Sequence, residues 1–205
     1  MNIVEVRQAD WNRTTRTADN AIASITEALV SEKRHRITSL DASYDDLTQT
    51  GDLYLFGLET VNGSKGYVGP IDGTNAAVVD LTNDKFVVAG HGLANTDKVI
   101  YHNGGGTSIT GITSGTMYFV VGVSGNDFQL AATSGGAAIN ISGTQASLGA
   151  AQFILKLAKQ WTVLGEKNLN FTSPLVGGSS VPVVSQLSAI ASTQGLLNMS
   201  GYTRG

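Results

Sequence analysis

The sequence predicts a mainly β chain: a small antiparallel β-barrel or sandwich module inserted in a second β-containing part, with one N-terminal α-helix. Three observations predict it. Short runs rich in Val, Ile, Phe and Tyr alternate with glycine turns through the middle of the chain. Charge is scarce there, because Asp127 is the sole charged residue between Asn103 and Leu155. Frequent charges and an apolar spacing near 3.6 residues are instead features of residues 1–52.

Taken in chain order, the first element is a helix at about 17–34. Ala18, Ile22, Ile25 and Leu29 fall on one helical face, Thr17 or Asp19 stands ready to cap the start, and Lys33, Arg34 and Arg36 suit the end. That stripe is narrow, so it needs cover, for instance from the same helix of another subunit. "LDASYDDLTQTGD" then reads as an acidic, turn-rich connection. "DLYLFGLETV" at 52–61 is a strand. The runs "KFVVA", "DKVIY", "MYFVV", "DFQLA" and "AAINI" follow at spacings near ten residues, with hairpin turns at "SGND" and "TSGGAA". "QFILKLAKQWTVL" is again a strand, with Phe153, Leu155 and Leu157 on one face and Lys156 on the other.

The strands at 52–61 and 152 onward flank the middle region, so the economical organisation pairs them and inserts the module between them. This gives an N-terminal arm and helix at 1–52, a base or anchoring part at 53–71 and 152–205, and an inserted β-module at 72–151. The tail from Gly177 is apolar and punctuated by Gly and Ser, which suits a segment laid along another subunit.

Composition narrows the function classes. The chain has 205 residues, 41% of them apolar and 14% charged, against about 25% charged in ordinary soluble domains. A net charge of −3 argues against nucleic acid as the main partner, since phosphate binding needs an excess of Lys and Arg. With no cysteine there is no disulfide, thiolate metal site or cysteine nucleophile. The start "MNIVEVRQADWNRTTRTADN" lacks the basic-then-apolar order of a signal peptide, and no apolar run reaches the ~18 residues of a membrane span. The expectation is a soluble protein with no membrane partner.

Each chemical candidate has a plainer structural explanation. His91 and Asp97 could form a base–carboxylate pair, but no Gly-x-Ser-x-Gly accompanies them. The expected roles are a histidine bonded to a turn backbone and an acid capping the entry to the next strand. His91 and His102 with Asp97 or Asp127 lack metal-ligand spacing, and His35 in "KRHR" is expected to be solvated. "HNGGGTS" lacks the Lys and the helix of a phosphate loop, and "DASYDD" lacks the spacing of a calcium loop. "SEKRHR" reads as a charged helix end, and Trp11 and Trp161 as core or interface anchors rather than sugar platforms. The module also cannot supply the two carboxylates that glycoside hydrolysis needs. No catalytic residue, cofactor or metal is therefore assigned. The candidate functional residues are apolar interface positions: Ile22, Ile25, Leu29, Trp161, Val183, Val184, Leu187, Ile190, Leu196 and Leu197.

One ordered series of motifs stands out: Phe86, then His91-Gly92-Leu93, then Asp97-Lys98-Val99. It continues with Gly111-Ile112-Thr113-Ser114-Gly115-Thr116-Met117-Tyr118-Phe119-Val120-Val121, and closes with Asn126, Phe128, Leu130-Ala131 and Gly135-Gly136. Residues 86–141 thereby resemble a small β-module of tailed-phage virion structural proteins. Thr96 stands where that pattern has Gly, Ile112 replaces Leu, and Met117 and Phe119 alter a tyrosine stretch. The resemblance implies a structural or attachment role in a virion, assembled in the host cytoplasm. The expectation drawn from it is a non-enzymatic capsid decoration (cement) protein. Its partners would be its own copies, as a homotrimer, and the major capsid protein or another virion protein. The alternative is a tail-fibre or receptor-facing component whose module binds a host glycan.

Overall fold

The computed structural model describes residues 11–205. The first strands are β1 (Trp11–Arg16), β2 (Ala23–Glu27), β3 (Arg34–Tyr44) and β4 (Thr50–Phe56). Eight strands follow: β5 (Thr60–Val61), β6 (Ser64–Lys65), β7 (Tyr67–Ile71), β8 (Val79–Asp80), β9 (Lys85–Val87), β10 (Lys98–His102), β11 (Met117–Ser124) and β12 (Asp127–Ala131). Four strands close the chain: β13 (Gln152–Leu164), β14 (Glu166–Val176), β15 (Val183–Leu187) and β16 (Gly195–Arg204). The fold is mainly β, and among the described residues its helical content is one 3-10 turn, Gln145–Ser147.

The helix expected at 17–34 is absent. That stretch forms β2, the start of β3 and two turns, in which Asn20 and Glu32 hold φ of +61° and +60°. A different period wins. Ala23, Ile25 and Glu27 are buried while Ser24 and Thr26 are exposed, the alternation of a strand. Ala18 and Ile22, which the helical stripe would have buried, are exposed. "LDASYDD" departs from expectation in the same way, because β3 continues to Tyr44 before the chain turns. "AAINI" contributes one isolated bridge, Ala131 to Ala138, rather than a strand.

Two four-stranded layers build a sandwich. In one, the order is β1-β16-β3-β14; in the other, β2-β15-β4-β13. Register places Trp11, Gly201, Ile37 and Leu175 in one row across the first layer. Arg13, Met199, Leu40 and Leu169 form the next row, and Thr15, Leu197, Ala42 and Lys167 the third. The apolar members of these rows pack on Ile25, Leu53, Leu55, Val163, Val183 and Leu187 of the second layer. On one open side Arg13 on β1 makes a two-pronged bond to the buried Glu27 on β2, at 2.8 and 3.2 Å. β13 and β14 join the layers on the other side, meeting at the tight turn around Gly165.

The strands at 52–61 and 152 onward do pair, as β4 with β13. β13 is shared: its first half pairs with β7 and β10, and its second half with β4. From β10 the sheet continues through β11, β12 and β9 to β8, so the strand path is open-ended and closes no barrel. A second core fills this region, with Tyr101, Phe86, Phe128, Val120 and Ile154 among its buried members. The "SGND" turn forms the β11–β12 hairpin as expected, with Gly125 at φ +61° in the first central position.

A third cluster, including Tyr54, Phe56, Ile100, Phe153 and Val184, binds the module to the second sandwich layer. That layer is therefore covered on both faces. Continuous burial along Leu53–Phe56 and through all of Val183–Leu187 follows from it. The apolar tail thus packs within its own chain, β15 between β2 and β4 and β16 between β1 and β3.

Candidate functional site

The turn around His91 has the structural form expected of it. Gly90 and Gly92 adopt φ of +65° and +64°, and Leu93 turns back into the module core. His91 is buried against Phe128 at 5.1 Å, and its Nδ1 accepts the Leu93 N–H at 3.0 Å. Asp97 accepts the Ala94 N–H at 2.8 Å and pairs with Lys156 of β13 at 2.7 Å. Lys156 also donates to the Gly92 carbonyl at 3.3 Å, so one cation ties this turn to the shared strand. Histidine and acid are thereby engaged separately, with no bond between them. Thr96, at the position where the phage-module pattern has Gly, is left-handed with φ +74°.

The other titratable candidates are engaged in the same manner. His102 Nδ1 accepts the Gly104 N–H at 3.0 Å, and burial holds its imidazole below the usual range. The amides of the glycine loop are taken internally: Gly105 by the Asn103 side chain and Gly106 by the Asn103 carbonyl, each at 3.0 Å. They leave no cradle for a phosphate. Asp127 pairs with Lys85 at 2.8 Å. Among the described residues no group of three His, Asp or Glu is placed to hold a metal, and no helix is long and apolar enough to cross a membrane.

His35 is buried rather than solvated. At the start of β3, Arg34 and Arg36 flank an inward-facing imidazole. In its neutral form Nε2–H donates to the Ala28 carbonyl at 2.8 Å, and Nδ1 accepts from Thr203 at 3.0 Å. Thr203 in turn accepts the Trp11 indole N–H at 3.2 Å. Burial dominates and lowers the His35 pKa, with Ala28 and Glu27 opposing it.

The ten expected interface residues divide. Ile25, Val183, Val184, Leu187 and Leu197 are buried in this chain's own cores. Leu29, Trp161 and Ile190 are half-buried against those cores, Trp161 lying 6.2 Å from Phe171. Ile22 and Leu196 remain exposed, at 54% and 41%. Ile22 rims a small apolar pocket of about 130 Å³ with Tyr54, Met117, Gln186, Ser188 and Ala189. Two leucines not anticipated are more exposed still. Leu47 and Leu164 are each 65% exposed at the corner where the Leu47 backbone abuts Gly165.

A groove of about 240 Å³ lies on the sandwich's outer face, over β1, β16, β3 and β14. Crossing those strands in order, Asn12, Ser200, Ser39 and Asn170 stand opposite one another. Thr14, Asn198, Asp41 and Asn168 make the next row, and Arg16, Leu196, Ser43 and Glu166 the third. Asn198 bridges its row, donating to Asp41 at 3.3 Å and accepting from Thr14 at 3.4 Å. The sequence signal for this face is period-two polarity in "SLDAS" and "NLN", masked in the first by the acidic, turn-like residues that follow Leu40. No family model matches this chain, and no match is found among curated proteins or solved structures.

Proposed function

We propose that the chain is a non-enzymatic structural protein of a phage virion, a capsid decoration (cement) protein that acts as a homotrimer packed on the shell. The observation that carries this reading is the apolar corner formed by Leu47 and Leu164, each 65% exposed. Leucines this exposed offer apolar area that a neighbouring molecule can cover. Two further features support it: the phage-module motif series, and the left-handed backbone at Thr96 where that series carries Gly. Cementing requires area rather than chemistry. A contact burying ~1,600 Å² is stable, and a shell repeats it many times.

Removing the apolar tail would test the fold rather than the interface, because β15 and β16 lie inside the two layers. The corner is the cleaner target. Leu47→Asp combined with Leu164→Asp is expected to abolish co-sedimentation with undecorated capsids at unchanged melting temperature. Sedimentation velocity of the parent protein is expected to show an oligomer. Undiminished capsid retention by the double variant, or a clean monomer at micromolar concentration, overturns the proposal.

A further inference from the structure

We propose that the outer face of the β1-β16-β3-β14 layer binds a neutral, hydroxyl-rich polysaccharide. This goes beyond a packing role and does not depend on where in a particle the chain sits. The composition of the face is the first argument. Of the twelve cross-strand positions in the three rows around the groove, four are Asn, three Ser, one Thr and one Leu, so nine are uncharged. Asn and Asp are depleted in strands, and Asn12, Asn168, Asn170, Asn198 and Asp41 all lie within them. Neither strand propensity nor solubility accounts for that choice, since solubility is served by Lys and Glu. Local preference overridden in one patch is the mark of a binding surface.

Hydrogen-bonding capacity is the second. Each Asn offers two donors and an acceptor, each hydroxyl one donor and two lone pairs, and Asp41 accepts. Sugar hydroxyls need this mixture, and the half-exposed Leu196 side chain at the groove offers an apolar contact for a ring's C–H face. Asn198, Asp41 and Thr14 are already linked by bonds of 3.3–3.4 Å, long enough to be exchanged for ligand bonds. The array repeats in two directions, about 4.8 Å between strands and about 6.8 Å along them, which suits a polymer.

Charge narrows the class of sugar. The acids Asp41 and Glu166 line the groove, and Arg16 and Arg36 stand elsewhere on the same face, so the face carries no excess of cations to hold a polyanion and suits a neutral chain.

The test is affinity electrophoresis of the intact chain through gels containing dextran, amylose or galactan, with heparin and alginate as polyanionic controls. Retardation by at least one neutral polymer is expected, with none by the polyanions. Asn168→Ala combined with Asn198→Ala is expected to weaken it more than tenfold at unchanged melting temperature. Asn168→Arg, at an exposed position, does the same should the double variant fold poorly. Leu47→Asp with Leu164→Asp is expected to leave retardation intact, which separates this site from the packing corner. Lack of retardation by all three neutral polymers, retardation by polyanions alone, or retardation unchanged in the Asn variants overturns the proposal. So does self-association that the Asn variants abolish, since it would make the face an interface between copies.

Discussion

Thr96 shows how one residue can fit a fold and still strain it. Its N–H donates to the Val120 carbonyl at 2.7 Å, which locks the left-handed turn, yet its Cβ opposes that conformation. Thr96→Gly is expected to stabilise the chain by about 1 kcal/mol, read from denaturant midpoints at unchanged slope. His35 carries a different liability. Its folded pKa lies below the ordinary 6.5, so the unfolded chain takes up the proton first as pH falls. Its contribution is complete above the unfolded value and is lost as pH drops through 6.5 toward the folded pKa. His102, lowered by burial, acts in the same direction. Melting temperature is therefore expected to fall between about pH 7 and about pH 5, with a shallower slope in His35→Gln combined with His102→Gln. An equal slope in that variant would assign the acid sensitivity to the carboxylates instead.

β2 and β3 show where period and propensity compete. Four apolar residues at helical spacing outweighed an alternation of three, Ala23, Ile25 and Glu27, partly because a charged Glu at a buried position does not look like core. Its burial is made tolerable by Arg13, a partner on a strand that pairs with the far end of the chain. "KRHR" misled for the same reason, since inward His35 is satisfied by Thr203 and Ala28 rather than by water. The tail misled in the opposite sense, because an apolar segment reads alike whether another subunit or its own chain covers it. Deleting residues 181–205 is accordingly expected to remove slow amide exchange from β2, β3 and β4, measured by hydrogen exchange. Preserved protection there would show that the layers stand without β15 and β16.

Viewed whole, the chain is three sheet surfaces enclosing two main cores, with β13 running through both. Its stability is therefore expected to be shared. Leu155→Ala, in the cluster between module and sandwich, should cost about 2–5 kcal/mol and lower one cooperative transition rather than split it into two. The sequence by itself determined the β class, the hairpin at "SGND", the β4–β13 pairing and the structural roles of His91 and Asp97. These rest on local turn chemistry and on alternation that needs no distant partner to be read. The tertiary structure alone decided the N-terminal strands, the burial of His35, the internal use of the tail and the polar face. Each depends on strands more than a hundred residues apart lying side by side, as Thr14, Asn198 and Asp41 do. A shared row across strands is a property of register, and register is set by which faces find a core to bury.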